Sequence, residues 1–111
     1  MNKGDIVLVR FPFTDLSSDK LRPALVIAPQ NLEGDVILAF ITTQINKEEL
    51  CDIFISSKDA DFNRTGLKRD SLIKINKLAT LNKRIIIGKI GVLSAKSIIK
   101  VNTALRQILR L

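Results

Sequence analysis

Two short apolar runs rich in β-branched residues, Ile6–Val9 and Ala24–Ile27, constrain the fold of this chain more than any other feature. Such runs favour strands, because branched side chains fit a pleated surface better than a helix. A polar segment separates them, and the second run is entered through Arg22-Pro23. Proline fixes its own φ and biases the preceding residue toward an extended backbone, so we expect Arg22 at a rigid strand start. A cation held in this way can meet a phosphate at a set angle.

The rest of the chain repeats this pattern of short apolar runs between turn residues. The strand candidates are Ile6–Phe11, Ala24–Ala28, Val36–Ile41, Asp52–Ile55, Ser71–Ile75 and Ile85–Ile90. Ser94 is a good N-cap, and the apolar residues after it recur mostly at steps of three or four, which predicts a C-terminal amphipathic helix. Several short strands and one such helix indicate a mainly β protein, a small barrel or sandwich. At 111 residues, we expect residues 1–111 to form a single domain.

Composition narrows the class of protein further. Hydrophobic residues make up 46% of the chain, enough for a core, while no apolar run approaches the roughly 20 residues of a membrane span. The N-terminus reaches a polar loop too soon to be a signal peptide. Cys51 is the single cysteine, so no internal disulfide and no Cys-based zinc site is possible. These features predict a cytoplasmic protein that does not contact a membrane.

Charge is distributed unevenly along the chain, which carries a net charge of +7. Asp70 is the last acidic residue, and nine basic residues follow it. An unbalanced basic half attracts polyanions, nucleic acid first. The alternative is that lysines keep an apolar chain soluble.

The residue types that are missing limit the chemistry. The chain has no His, which excludes a nuclease that uses a histidine acid–base pair. Its acidic residues are scattered, which disfavours a two-metal nuclease, and we expect no metal and no cofactor. Metal-free cleavage of RNA stays open, because the ribose 2′-OH attacks the neighbouring phosphate intramolecularly. The protein must then stabilise charge on the phosphate oxygens, and arginine suits that task.

The N-terminal pattern resembles the opening of the MazF/PemK-like toxins, the toxin halves of type II toxin–antitoxin pairs. The matching parts are Gly4-Asp5, Ile6–Val9, Pro12–Leu21, Arg22-Pro23 and Ala24–Ile27. Two later blocks, Ile41-Thr42-Thr43-Gln44 and Gly66-Leu67-Lys68-Arg69-Asp70-Ser71, resemble further parts of the same family. The likeness covers nearly the whole chain, in order. The polar loop is shorter than in many members and lacks their glycine-rich approach to the arginine, so no cleavage sequence can be carried over.

The resemblance implies a fold and an activity. The fold would be a small SH3-like β-barrel, the MazF/CcdB-like fold, with a C-terminal amphipathic α-helix. The activity would be that of a metal-independent, sequence-selective endoribonuclease that cleaves single-stranded mRNA through 2′-OH attack. A cognate antitoxin and a homodimer are implied partners. Two alternatives remain open: a non-catalytic basic SH3-like module that binds nucleic acid or protein, and a gyrase-directed poison of the same fold.

The resemblance also assigns residues to the site. Arg22 would stabilise the transition state, and Thr42, the match to the family's catalytic threonine, would donate to a phosphate oxygen or orient the 2′-OH. The alternatives are a surface arginine that ties down the polar loop and a threonine that fills a strand end. Candidate substrate-binding residues are Phe13, Thr14, Asp15, Lys20, Thr43, Gln44, Lys47, Lys68, Arg69, Asp70 and Ser71. For Phe13 a core or anchoring position is an equal alternative. The alternative for Asp15 is the cap of its turn, and for Asp70-Ser71 a turn with a strand-start cap.

Overall fold

Six antiparallel strands form one sheet in the order β4-β5-β3-β2-β1-β6. A computed structural model of the chain describes residues 1–10, 20–29 and 33–111. Its strands and helix are β1 (Asp5–Arg10), β2 (Leu21–Pro29), β3 (Asp35–Thr42), β4 (Ile53–Ile55), β5 (Ser71–Asn82), β6 (Ile86–Val92) and α1 (Ala95–Leu109). The predicted fold class, mainly β with a C-terminal helix, is confirmed. Within the described ranges, β4 and β6 are the sheet edges and are not hydrogen-bonded to each other.

Both faces of the sheet are buried, which explains why the strand sequences are continuously apolar. On one face, here called the helix face, Ile6, Leu25 and Ala39 pack in a cluster that includes Val101 of α1. Alternate residues of the same strands point to the opposite face. The opposite face is built around Val7, Val9, Ala24, Val26, Val36 and Leu38.

The C-terminal helix begins as its sequence predicts. Ser94 is its N-cap, with the hydroxyl oxygen accepting a hydrogen bond of 3.2 Å from the Ser97 backbone N–H. Val101 and Ala104 are the buried positions on its apolar side. No helix among the described residues is both long enough and apolar enough to cross a membrane.

β5 differs most from its prediction, because it extends to Asn82 and not to Ile75. Ala39 of β3 pairs with Leu78, whereas the next residue, Phe40, pairs with Lys74. Three residues of β5, 75–77, therefore form a bulge at this point. A bulge breaks the alternation of inward and outward side chains, so the sequence pattern stops where the strand does not. The other strand ends shift by a few residues, and Phe11 lies outside the described residues.

Candidate active site

A cleft of about 650 Å³ opens where β2 begins and β3 ends. The described residues that line it are Arg22, Phe40, Ile41, Thr42, Gln44, Lys47, Glu49, Lys74 and Lys77. A smaller cavity of about 190 Å³ beside the start of α1 shares none of these residues. Four of the residues predicted from the sequence, Arg22, Thr42, Gln44 and Lys47, therefore lie along one cleft.

Strand pairing brings Arg22 and Thr42 together. Ala24 of β2 pairs with Phe40 of β3, and Arg22 and Thr42 each lie two residues beyond this pair, at the same end of the two strands. Side chains two residues apart in a strand point to the same face, so both lie on the opposite face, away from α1. Both side chains line the same cleft.

The hydroxyl of Thr42 is oriented by the backbone that follows it. Its oxygen accepts a hydrogen bond of 3.1 Å from the Gln44 backbone N–H. This bond occupies one lone pair and leaves the O–H free to donate to a ligand. Thr43, the neighbouring threonine that was a candidate for substrate binding, is exposed and is not part of the cleft wall.

A buried lysine forms part of the cleft wall. The Lys74 side chain is only 8% exposed, and its Nζ lies 2.6 Å from both Glu49 Oε1 and Asp52 Oδ2. Burial opposes the charged form of Lys74, but the hydrogen bonds to the two carboxylates more than offset it and raise the pKa of Lys74 above its ordinary value. Pairing of Phe40 with Lys74 puts this group on the same face as Arg22.

The two carboxylates around Lys74 differ in exposure. The Asp52 side chain is fully buried, and its Oδ2 also accepts a bond of 2.7 Å from the Glu49 backbone N–H. Glu49 is 55% exposed and its Oε1 accepts a second bond, of 3.3 Å, from Asn76 Nδ2. The hydrogen bonds from Lys74 and Asn76 lower the pKa of Glu49. Among the described residues, no three His, Cys, Asp or Glu side chains cluster as a metal site would need.

The net charge of the cleft is positive. Arg22, Lys47 and Lys77 line it, and no ion pair of theirs is found within residues 1–10, 20–29 and 33–111. Glu49 and Asp52 face Lys74 instead. A cleft in which one sign of charge is in excess raises the local concentration of a ligand of the opposite sign. This arrangement suits a polyanion.

The block before β5 does not reach the cleft. Lys68 and Arg69 are exposed and lie outside its lining. Asp70 Oδ1 accepts a hydrogen bond of 2.6 Å from the Ser57 backbone N–H, and the buried Ser71 hydroxyl donates to the Arg69 carbonyl at 2.9 Å. The geometry favours the alternative for Asp70-Ser71, a turn with a strand-start cap.

Four other predicted residues stand apart from the cleft or from the described chain. Lys20 is exposed directly before β2 and is not among the lining residues. Phe13, Thr14 and Asp15 fall outside the described residues. Their proposed contacts with substrate remain predictions.

Sequence reasoning missed five lining residues: Phe40, Ile41, Glu49, Lys74 and Lys77. Lys74 carried a signal, because a charged residue interrupts an otherwise apolar strand, Ser71–Ile75. A lysine in a strand that is buried on both faces needs a carboxylate partner. Only the fold identifies the partner, since Asp52 and Glu49 lie 22 and 25 positions away in the chain.

Acid should weaken the fold through three carboxylates. The pKa of Asp70 is lowered by the Ser57 backbone N–H, and the pKa of Glu49 by Lys74. Burial alone would raise the pKa of Asp5, but the hydrogen bonds from Asn2 and Lys89 more than offset this effect, so the pKa is lowered. Carboxylates with lowered values stabilise the fold above their unfolded pKa, about 3.9 to 4.3, and that contribution is lost as pH falls through the folded value.

We therefore expect the urea midpoint to fall steadily from about pH 5 to pH 3, where those carboxylates take up protons. Asp70→Asn keeps an acceptor for Ser57 but cannot titrate, so its pH dependence should be shallower. Urea unfolding followed by circular dichroism across this range measures both. An equal slope in the variant and the original chain would contradict the role of Asp70.

The chain matches one protein family over nearly its whole length. Residues 2–109 match the family model described as PemK-like, MazF-like toxin of type II toxin-antitoxin system. The Mycobacterium tuberculosis toxin MazF-mt6 is a structural neighbour with 20% identity and a TM-score of 0.74, covering 96% of this chain and 97% of its own. MazF from Deinococcus radiodurans has 17% identity and a TM-score of 0.75, with 100% and 97% covered.

A third structural neighbour is an endoribonuclease from a mycobacterial species in complex with its cognate antitoxin. It has 18% identity and a TM-score of 0.74, with 100% of this chain and 96% of that one covered. Identities this low show a shared fold. No curated protein matches the chain significantly.

Proposed function

The chain belongs to the PemK-like, MazF-like toxins of type II toxin–antitoxin systems, and on this premise we propose that it is a sequence-selective endoribonuclease that cleaves single-stranded mRNA without a metal ion. The observation that carries the proposal is the meeting of Arg22 and Thr42 in one positively charged cleft. A guanidinium and a hydroxyl are the groups that phosphate chemistry needs when the substrate supplies its own nucleophile. An mRNA substrate would place the protein in the cytoplasm.

The reaction is a transesterification at phosphorus. The 2′-oxygen forms a bond to phosphorus as the bond to the 5′-oxygen breaks, so the products are a 2′,3′-cyclic phosphate and a 5′-hydroxyl. The 2′-OH gives up one proton and the leaving oxygen receives one. Arg22 donates hydrogen bonds to the phosphate oxygens as their charge grows. Thr42 donates to the same phosphate or orients the 2′-OH.

Other cleft residues would hold the strand on either side. Lys47 and Lys77 bind neighbouring phosphates, which positions the RNA without reading its sequence. Gln44 has both donors and an acceptor and contacts a base edge. Bases in single strands are free to offer those edges, whereas in a duplex they are paired.

We expect RNA cleavage to survive EDTA and to stop when the 2′-OH is blocked. The test incubates a long transcript with the protein and EDTA, and repeats it with a short target in which 2′-O-methyl groups replace the 2′-OH. The short target is taken from a mapped cleavage site and read by gel, with end-group analysis of the products. Cleavage that chelation abolishes, or cleavage of the 2′-O-methyl RNA, would contradict the mechanism.

The same assay separates the alternatives. RNA that is bound but stays whole would indicate a non-catalytic binding module. Inhibition of gyrase supercoiling with RNA intact would indicate a gyrase poison. Fold alone does not distinguish these functions.

Two partners follow from the proposed function. We propose a cognate antitoxin with an acidic, partly disordered segment, which would bind across the basic face of a chain with net charge +7. One structural neighbour is an endoribonuclease in complex with its own antitoxin. We also propose a homodimer, with the same surface used on both subunits.

A further inference from the structure

The segment 43–52, which joins β3 to β4, brings three side chains into the cleft but has little apolar anchorage of its own. Gln44, Lys47 and Glu49 line the cleft. Residues 43–50 are all exposed, and Leu50 is 88% exposed. Cys51, at the end of the segment, is half-buried against the core, but residues 43–50 have no buried side chain, so the hydrophobic effect does not hold them in place.

Hydrogen bonds inside the segment are local and do not attach it to the sheet. Its backbone bonds span two or three residues, such as Ile45 N–H to Thr43 O at 2.9 Å and Asp52 N–H to Glu49 O at 3.1 Å. Cys51 adopts a positive φ of 72°, which a non-glycine residue adopts only at a cost. The strand pairs Thr42–Leu72 and Ile53–Ile73 fix the two ends of the segment, and Cys51 Sγ donates to Gln107 Oε1 of α1 at 3.3 Å. Another contact must hold the part between them against β5.

That contact is ionic. Lys74 of β5 donates to Glu49 and to Asp52 at 2.6 Å each, and Asn76 of β5 donates to Glu49 at 3.3 Å. The Lys74 and Asp52 side chains are 8% and 0% exposed. Charge-assisted hydrogen bonds at such distances are the strong kind, and buried pairs are screened by salt much less than surface pairs. We call this group of Lys74, Asp52 and Glu49 the brace.

We propose that Lys74 is a positioning residue for RNA: through the brace it holds segment 43–52 against β5 and so keeps Gln44 and Lys47 in place along the cleft. The inference rests on the proposed function. A segment that is ordered before RNA arrives does not lose that freedom on binding, so its contacts contribute more to affinity. Lys74 acts through the segment and not on the phosphate, because two of its three donors already bond to carboxylates.

Asp52→Asn tests the proposal, because the brace and simple electrostatics predict opposite changes in RNA binding. This change removes a negative charge near an RNA cleft, so electrostatics alone predicts tighter RNA binding. The brace predicts the reverse, because Asp52 is buried, does not line the cleft and holds Lys74. We expect KM to rise about tenfold, the effect of freeing roughly two long side chains, with kcat changed by less than about threefold.

Glu48→Gln is the matched control. Glu48 is exposed and lies in the same segment, but it is not part of the brace. Its replacement by Gln removes the same charge as Asp52→Asn. Its KM should equal or fall slightly below that of the original chain. A second variant, Lys74→Met with Asp52→Asn, leaves the net charge unchanged and should raise KM as Asp52→Asn does.

Two further readouts keep the proposal falsifiable. In Asp52→Asn, the amides of residues 43–50 should exchange hydrogen several-fold faster, while those of β2 stay unchanged. If this variant does not fold, Glu49→Gln takes its place, since it turns one ionic contact of the brace into a weaker neutral hydrogen bond and leaves the buried pair. Anisotropy with 2′-O-methyl RNA reports binding without chemistry.

The outcomes separate this inference from the proposed function. RNA that stays intact with the original chain counts against the ribonuclease, and amide exchange then tests the brace alone. A KM in Asp52→Asn that matches Glu48→Gln, or unchanged exchange in residues 43–50, overturns the role given to Lys74.

Discussion

Arg22→Ala should lower kcat/KM for RNA cleavage by about 10² to 10³-fold, the loss seen when one preorganised donor to a developing oxyanion is removed. Arg22 is exposed at the start of β2, so the fold should not suffer. Arg22→Lys should recover only part of the activity, because an ammonium group lacks the planar fork that binds two phosphate oxygens at once. Single-turnover cleavage of an end-labelled RNA measures the loss, and thermal unfolding checks the fold.

Arg106→Ala is the control for charge. Arg106 is exposed on α1, which packs on the other face of the sheet from Arg22, and its replacement removes the same charge. Its effect on kcat/KM should be less than about threefold. Full activity in Arg22→Ala, or an equal loss in both variants, would remove Arg22 from the mechanism.

The placement of Arg22 and Thr42 was predictable because each position depends on local sequence. Pro23 fixes the backbone beside Arg22, and the apolar run before Thr42 ends where the strand ends. The family resemblance then supplied the link between two strands that sequence alone does not pair. The helix after Ser94 was predictable for a similar reason, since its cap and its period are both local.

The ion pair of Lys74 with Asp52 beside the cleft was not predictable from local sequence. Lys74 lies next to the bulge at residues 75–77, and the position of a bulge depends on which strand lies alongside. Asp52 was read as the start of a strand, whereas its buried carboxylate pairs with Lys74 of β5. Pairs of this kind require knowledge of the strand pairing, because Asp52 directly precedes β4 and the pairing of Ile53 with Ile73 brings it beside Lys74.

The block Lys68–Ser71 was assigned to substrate binding by resemblance, whereas its residues lie outside the lining of the cleft. A family pattern marks residues that recur together, but it does not separate contact with RNA from support of a turn. Asp70 uses its carboxylate to bind the Ser57 backbone N–H, and Ser71 faces the helix side of β5 with Ile73 and Ile75. Both arrangements stabilise the entry to β5.

Lys74→Met should lower the free energy of unfolding by about 3 kcal/mol, near the lower end for breaking a buried ion pair because Lys74 lies on the cleft wall. The cost comes from Asp52, whose fully buried carboxylate loses its counterion, and not from the pair's own net stability. Adding Asp52→Asn removes the stranded charge, so the double variant should regain most of the loss. Urea unfolding of both single variants and the double variant gives the coupling free energy, which should exceed about 1 kcal/mol.

Lys77→Met is the control for the loss of a neighbouring lysine. Lys77 lines the same cleft but is exposed, so its replacement should change the free energy of unfolding by less than about 0.5 kcal/mol. A Lys74→Met protein as stable as Lys77→Met would show that Asp52 is solvated or protonated without its partner. The brace would then have no energetic basis, and the position of segment 43–52 would depend on its backbone alone.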